Sequence, residues 1–405
     1  MKKWLAILSI TFVISFIGCA ILAGRVYYQD LKIYSDYDKK ELDPNELENV
    51  YIRSYIPVEI YPTQGKPYVE FNQSFVDLVG LAPQYELKVE QKGGSTYINL
   101  DQMKEMLLSL GVKENQAKLC VYLPQQAMSS LSVQDLNWFY YDRTSQVIDL
   151  EGIDVKQLEL KLNHAEVALD GKYDKVNLRI NSGRLTMNAK SPTHLYVEGN
   201  IEQTLEGQYE KVIVNGQGQP ISMNSTISSD VQINRSNSTI TLKGKYNRIN
   251  IVGNENNVDI HSDSICKLTT AGVDNVINGI GLFQEISVSE GYSEVELQSN
   301  IIPNRVQLGG SYSDTRMTLV LPSNIPGFTV RYVGNEKGFN KDDFEVYKNY
   351  LLDTKYIQSD FKLESSVSDR AELLYTYGNG SMPITLDQDN QVSLEIIDGG
   401  FSSTR

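Results

Sequence analysis

The chain has 405 residues, 41% hydrophobic and 22% charged, with a formal net charge of −14. That composition argues against a disordered tail. The negative balance, with no basic patch visible along the sequence, argues against generic binding to nucleic acid or anionic lipid. Three cysteines far apart, Cys19, Cys120 and Cys266, form no CxxC pair and no even framework, which argues against a disulfide scaffold. Cys120 and Cys266 lie in apolar runs, where a free thiol packs as a small hydrophobe.

In chain order, Lys2 and Lys3 precede an uncharged run from Trp4 to Gly24, twenty-one residues, long enough as a helix to cross a bilayer at about 1.5 Å per residue. The positive-inside tendency makes residues 1–3 a cytoplasmic tip, 4–24 a transmembrane anchor, and the rest extracytoplasmic. A lipoprotein signal ending at Cys19 and a cleaved secretion signal are the alternatives. The apolar run continues past Cys19 to Ala23, which favours the uncleaved anchor. Residues 25–49 read as a polar stalk.

Residues 50–157 read as an N-terminal β-rich cap with the first coils. Segments 50–60, 68–71, 85–89 and 96–100 alternate as strands, and Gly93-Gly94 is a natural hairpin turn. One helix is expected, from Asp101 as N-cap through Met103, Leu107, Leu108 and Leu110 to Gly111 as stop.

Residues 158–320 carry a regular repeat. Strands beginning at Leu158, Val176, Leu195, Val212, Val231, Ile249, Leu268, Ile286 and Val306 recur at 17 to 20 residues. The first and third positions are almost all apolar and the second mostly polar, the period-two signature of a strand with one buried face. Nine residues on, a second pair follows in most units (Val167/Leu169, Leu185/Met187, Ile240/Leu242). A longer repeat overlies this one: Gly171-Lys172-Tyr173, Gly207-Gln208-Tyr209, Gly244-Lys245-Tyr246 and Gly281-Leu282-Phe283 recur at 36 or 37 residues, with Ser191, Ser228 or Ser264 at the alternate connections. One turn is therefore either about 18 residues with two strands or about 37 with four. The unit at Leu195 has Ile201 and Leu205 off register, so a bulge is expected there. In residues 321–405 a charged insertion, 334–369, precedes two strands, 382–386 and 391–397, that read as a closing hairpin over Asp387-Gln388-Asp389-Asn390. The fold class is mainly β: a single-stranded β-solenoid (β-helix) with N- and C-terminal caps, one short capping helix and an N-terminal transmembrane helix.

Ile56-Pro57-Val58-Glu59-Ile60, Leu123-Pro124 ending an early strand, the repeated Val/Leu-x-Val/Leu pairs, and Tyr377-Gly378-Asn379-Gly380-Ser381 ahead of Ile384-Thr385-Leu386 resemble the adhesin-type, LiaG-like β-strand-repeat proteins of Gram-positive cell envelopes. These motifs are pattern-level and cover residues 50–397. The resemblance implies an envelope-located solenoid with a link to envelope-stress systems, and it implies no ligand and no catalytic residue.

The residues themselves offer little chemistry. His164, His194 and His261 sit at turns or strand edges with no metal-ligand spacing and read as surface groups. No nucleophile elbow, phosphate loop or dinucleotide fingerprint occurs. Asp387-x-Asp389 lacks the glycine and glutamate of a calcium loop. Glu159 has no acidic partner at its ladder position, and Glu294 with Glu296 reads as a solvated face. Trp138-Phe139-Tyr140-Tyr141 reads as cap core before sugar platform. No catalytic, cofactor-binding or metal residue is therefore assigned. The expectation is a non-catalytic cell-surface scaffold or adhesin, with cell-wall polymer or an envelope protein as partner and no cofactor. An accessory role in envelope-stress signalling and a glycan-active β-helix enzyme are the alternatives.

Overall fold

The computed structural model describes residues 15, 33–76, 84–104, 117–136, 145–309, 315–322, 327–335, 360–365, 370–378, 382–387 and 392–399. The segment 4–24 expected as an anchor, apart from Ser15, and the cluster 138–141 lie outside the described residues. No helix among the described residues is long and apolar enough to cross a membrane. Two compact units divide the chain: residues 1–124 with 134–137, and residues 125–133 with 138–405.

The first unit is built of strands β1 (Ile33–Glu41), β2 (Asn49–Ser54), β3 (Val58–Thr63), β4 (Tyr68–Val76), β5 (Gln84–Lys92), β6 (Ser95–Lys104) and β7 (Lys118–Pro124). Lateral pairing gives the order β3-β7-β4-β1, parallel at β3–β7 and antiparallel at the other two. A second group runs β2-β6-β5. Alternation puts Val50, Ile52, Ile60, Val69, Phe71, Ile98, Leu100, Leu119 and Val121 inside, each almost fully buried. Part of the expected stalk is thus folded, since Ile33–Glu41 pairs along β4. The glycine turn is as expected: Gly93 (φ +62°) and Gly94 (φ +78°) are both left-handed, the geometry of a two-residue hairpin with Lys92 facing Ser95.

The expected helix does not begin at Asp101. Asp101 and Met103 continue β6, with Leu100 opposite Leu87 and Asp101 opposite Glu86, and Lys88 bridges to Asp101 at 3.1 Å. A partner strand already in register offers one ladder bond per residue fixed, whereas a helix must first form its costly nucleus. Leu107, Leu108, Leu110 and Gly111 lie outside the described residues.

The second unit is a β-solenoid of about nine turns with almost no helix. Its strands are β8 (Met128–Asp135), β9 (Gln146–Glu151), β10 (Val155–Gly171), β11 (Tyr173–Gln217), β12 (Ile221–Ser236), β13 (Thr239–Val252), β14 (Asn257–Val273), β15 (Val276–Gly291), β16 (Glu294–Ser299), β17 (Arg305–Gly309) and β18 (Thr315–Pro322). Successive turns stack in parallel: Leu158 faces Val176, Val231 faces Ile249, and Leu268 faces Ile286, each 18 residues on. A physical turn is therefore about 18 residues with two strands. The inward columns Leu158/Leu160 and Val167/Leu169, repeated turn after turn, form one continuous core between the two faces.

The 37-residue repeat is a two-turn alternation at one corner. Tyr173, Tyr209, Tyr246 and Phe283 are fully buried there, one in every second turn. The Tyr209 hydroxyl donates to the Met187 carbonyl at 3.1 Å and that of Tyr246 to Met223 at 3.2 Å. The intervening turns carry serines that clasp the aromatic residue's backbone. Ser191 Oγ accepts from the Tyr173 N–H and donates to its carbonyl, and Ser264 does the same for Tyr246 at 2.8 and 2.7 Å. In the third case the clasp is Ser229, bonded to the Tyr209 carbonyl, and not Ser228, which is exposed. The glycine of Gly-x-aromatic has its own cause. At Gly207 (φ +108°) a Cβ would come within 2.2 Å of the Ala189 carbonyl oxygen, and at Gly244 (φ +104°) within 2.2 Å of that of Ser225.

The opposite corner is held by buried polar side chains. Ser238, Asn256, Asn275 and Ser293 form a ladder in which each backbone N–H donates to the next residue's side-chain oxygen, at 3.1, 2.8 and 3.0 Å. Where this ladder ends, Arg235 turns inward, 1% exposed, and donates to the carbonyls of Gln219, Gly199 and Ile201. Burial lowers its pKa to about 10, and the guanidinium stays charged at neutral pH. Gln203 is the other exception inside. It fills the column of Ile221 and Ile240, and neither end of its amide has a partner among the described residues. This substitution makes Ile201 and Leu205 look off register in the sequence. Leu205 in fact stands opposite Met223, and the irregularity falls between Gly207 and Lys211.

The C-terminal pair is not a hairpin. β19 (Gly327–Asn335), β20 (Asp360–Ser365) and β21 (Arg370–Gly378) form an excursion paired β19–β21 and β20–β21, both antiparallel. β22 (Met382–Asp387) and β23 (Val392–Gly399) then stack in parallel on β17 and β18, Val306 facing Ile384 and Met317 facing Leu394. Each strand takes the free edge of the solenoid strand before it, so the pair forms one more turn and brackets the insertion.

Candidate functional site

The solenoid turns one set of side chains outward on the face that begins with Leu158. Its second strand positions form the column Ile213, Gln232, Asn250, Thr269, Ser287, Gln307 and Thr385. One residue before each strand start lies a second column, Lys211, Asp230, Arg248, Lys267, Glu285 and Arg305. Adjacent turns are ~4.8 Å apart, so side chains far apart in sequence become near neighbours. Between the two columns a groove of about 430 Å³ opens, lined by Arg248, Asn250, Lys267, Thr269, Glu285 and Gln307 among others.

Within the groove, Lys267 Nζ lies 2.6 Å from Glu285 Oε1, with both side chains about two-fifths exposed. Arg305 donates to Gln307 at 2.9 Å. Arg248 is exposed and makes no side-chain hydrogen bond or ion pair among the described residues. Asp230, one turn before it, is bonded to Asn247 Nδ2 at 2.9 Å. The groove thus holds three cations against one carboxylate, in a chain whose net charge is −14. Its walls are uncharged hydrogen-bonding groups. It can donate to and accept from hydroxyls and can attract anions along an open path, and Glu285 has no second carboxylate in the lining with which to share acid and base work.

The sequence showed the second-position column but not its neighbour. Arg248, Lys267 and Arg305 are 19 and 38 residues apart and look scattered until the turns are stacked. The signal was present one position before each aligned strand.

A second polar surface lies in the first unit. Glu59, Cys120 and Glu70 stand side by side across β3, β7 and β4, with Tyr61, Tyr122 and Tyr68 in the adjoining row. Glu59 is 7% exposed and accepts from Lys118, from the Tyr61 hydroxyl at 3.1 Å and from the Cys120 thiol at 3.6 Å. Burial, then the Glu59 charge, pushes the Cys120 thiol up to about 12, so it stays protonated. Tyr122 stacks on Tyr68 with centroids 4.3 Å apart and lies 5.7 Å from Tyr61, and Lys39 caps Tyr68 at 3.6 Å. The ring faces are turned on one another, so this row closes a wall and leaves no flat platform for a sugar.

The other residues singled out from the sequence remain apart. His164 bonds Ser182, His194 meets Glu210 and His261 meets Asp263, each locally. Glu294 and Glu296 are exposed. Cys120 and Cys266 are free thiols. Asp387 ends β22, and Asp389 lies outside the described residues. Among the described residues no group of three or more His, Cys, Asp or Glu is placed to hold a metal ion.

No protein-family profile matches the chain, and no curated protein matches it. Among solved structures it is similar to a "putative cell adhesion protein" of Clostridium sporogenes ATCC 15579, 11% identical, with 90% of this chain and 98% of that one covered and a TM-score of 0.20. A likeness that weak bears on neither fold nor function.

Proposed function

We propose that this chain is a non-catalytic surface scaffold of adhesin type, held at the membrane by the segment 4–24 with its bulk extracytoplasmic, and that its outward ladder binds an envelope polymer. The observation that supports this reading is the groove: an extended, open, hydrogen-bonding surface repeated turn by turn, of a shape suited to a strand laid along it and unlike the enclosed apolar pocket of a small-molecule site. The LiaG-like motifs at 56–60 and 377–386 and the uncharged run behind Lys2-Lys3 support the placement.

The test is co-sedimentation of the full chain with purified cell-wall sacculi carrying their attached polymers, with reducing ends assayed in the supernatant. The chain is expected in the pellet with no release of sugar. A chain left in solution removes the reading, and release of reducing ends replaces it with an enzyme.

A further inference from the structure

We infer that the groove recognises an acidic polysaccharide in which charged sugars are separated by neutral ones, a conclusion that rests on the scaffold reading above and names its ligand. Three features of the groove lead there. First, its two guanidinium groups have capacity to spare: among the described residues Arg248 has no side-chain partner and Arg305 engages only the neutral Gln307. A guanidinium presents a planar fork that matches a carboxylate. Second, Arg248 and Arg305 stand three turns apart, Arg248 opposite Lys267, Lys267 opposite Glu285, and Glu285 opposite Arg305, about 14 Å at ~4.8 Å per turn. Third, the stretch between them is electrically closed, because Lys267 is paired with Glu285.

A polyanion charged at every step would bring a negative group against Glu285. A polymer with anions at intervals places its neutral sugars there instead. The walls suit neutral sugars: Asn250, Thr269, Ser287 and Gln307 follow one another up the column and offer amides and hydroxyls to ring hydroxyl groups. Polyphosphate, with a charge on every unit and no hydroxyls, satisfies neither the gap nor the walls.

The experiment is equilibrium binding of the full chain to four probes at matched ionic strength: hyaluronate, which alternates a carboxylated and a neutral sugar, polygalacturonate, polyphosphate and neutral dextran. Hyaluronate is expected to bind best, dextran not at all, and binding is expected to weaken as salt is added. Arg248→Gln with Arg305→Gln should lower hyaluronate affinity by about tenfold or more. Thr269→Trp, which fills the groove without changing its charge, should do the same. Glu285→Gln should raise affinity for polygalacturonate relative to hyaluronate, because it opens the gap to a continuous charge. Circular dichroism confirms that each variant is folded. Equal or tighter binding of polyphosphate, or hyaluronate binding untouched by the arginine pair and by Thr269→Trp, overturns the inference. Sedimentation with sacculi but no binding to hyaluronate overturns this inference alone, and failure of both overturns the scaffold reading with it.

Discussion

Replacing Ser264 by alanine tests the clasp that joins alternate turns. Ser264 Oγ accepts the Tyr246 N–H at 2.8 Å and donates to the Tyr246 carbonyl at 2.7 Å, at a corner where the main-chain register shifts between Gly244 and Arg248. Alanine leaves both backbone groups without their partner. An unsatisfied buried backbone group costs about 1–3 kcal/mol. Ser264 is only half-buried, which keeps the sum toward the lower part of that range, ~2–4 kcal/mol for the two groups. Stability in a stacked array is held locally, so the effect should be read locally as well as globally. Amide exchange of a peptide spanning 244–248 should accelerate roughly 30- to 1000-fold, the rate equivalent of that cost. Ser228→Ala is the matched control, because Ser228 is exposed and its neighbour Ser229 makes the equivalent bond. A Ser264→Ala exchange rate within about threefold of wild type, or an equal response in Ser228→Ala, refutes the clasp.

Three further outcomes follow from the same structure. Gly244→Ala forces a side chain into a left-handed backbone and against the Ser225 carbonyl at 2.2 Å, so it should cost more than the ~1–3 kcal/mol of backbone strain alone and lower the urea midpoint clearly; an unchanged midpoint means the corner is slack. Gln203→Leu restores an apolar residue to its column and removes an unpartnered amide, so stability should rise by about 1–2 kcal/mol in urea unfolding; a loss would mean that buried solvent satisfies the amide. The Cys120 thiol titrates at about 12 against an ordinary 9.0, and burial pushes Cys266 up to about 11. Their contribution to stability is therefore complete below pH 9 and lost as pH rises through 11 to 12. Neither should react with a thiol reagent at about pH 8 until the chain is unfolded, and fast native labelling contradicts their placement.

The period-two core was legible because burial of one strand face depends only on alternation, and nine units repeat it. Gly93-Gly94 was legible because only glycine takes two left-handed residues in a row without strain. Other features depend on partners that sequence does not supply. Asp101 to Lys104 fit the first turn of a helix locally and continue a strand because β5 lies beside them. The strands at 382 and 392 have the composition and spacing of a hairpin, yet each pairs with a strand more than seventy residues earlier, at Val306 and Met317 respectively. Arg235 sits in the polar run Asn234-Arg235-Ser236-Asn237, which reads as a surface turn, and its inward course follows from the three carbonyls it meets. The groove was half visible: the uncharged column could be read directly, while the cations emerged only when turns of unequal length were stacked.

Where a polymer touches the chain decides whether the groove is the binding surface. Hydrogen–deuterium exchange of the full chain, with and without hyaluronate, should show added protection confined to peptides spanning 248–251, 267–270, 285–288 and 305–308, with the first unit unchanged. Protection confined to any other surface, or none at a polymer concentration that saturates binding, contradicts it.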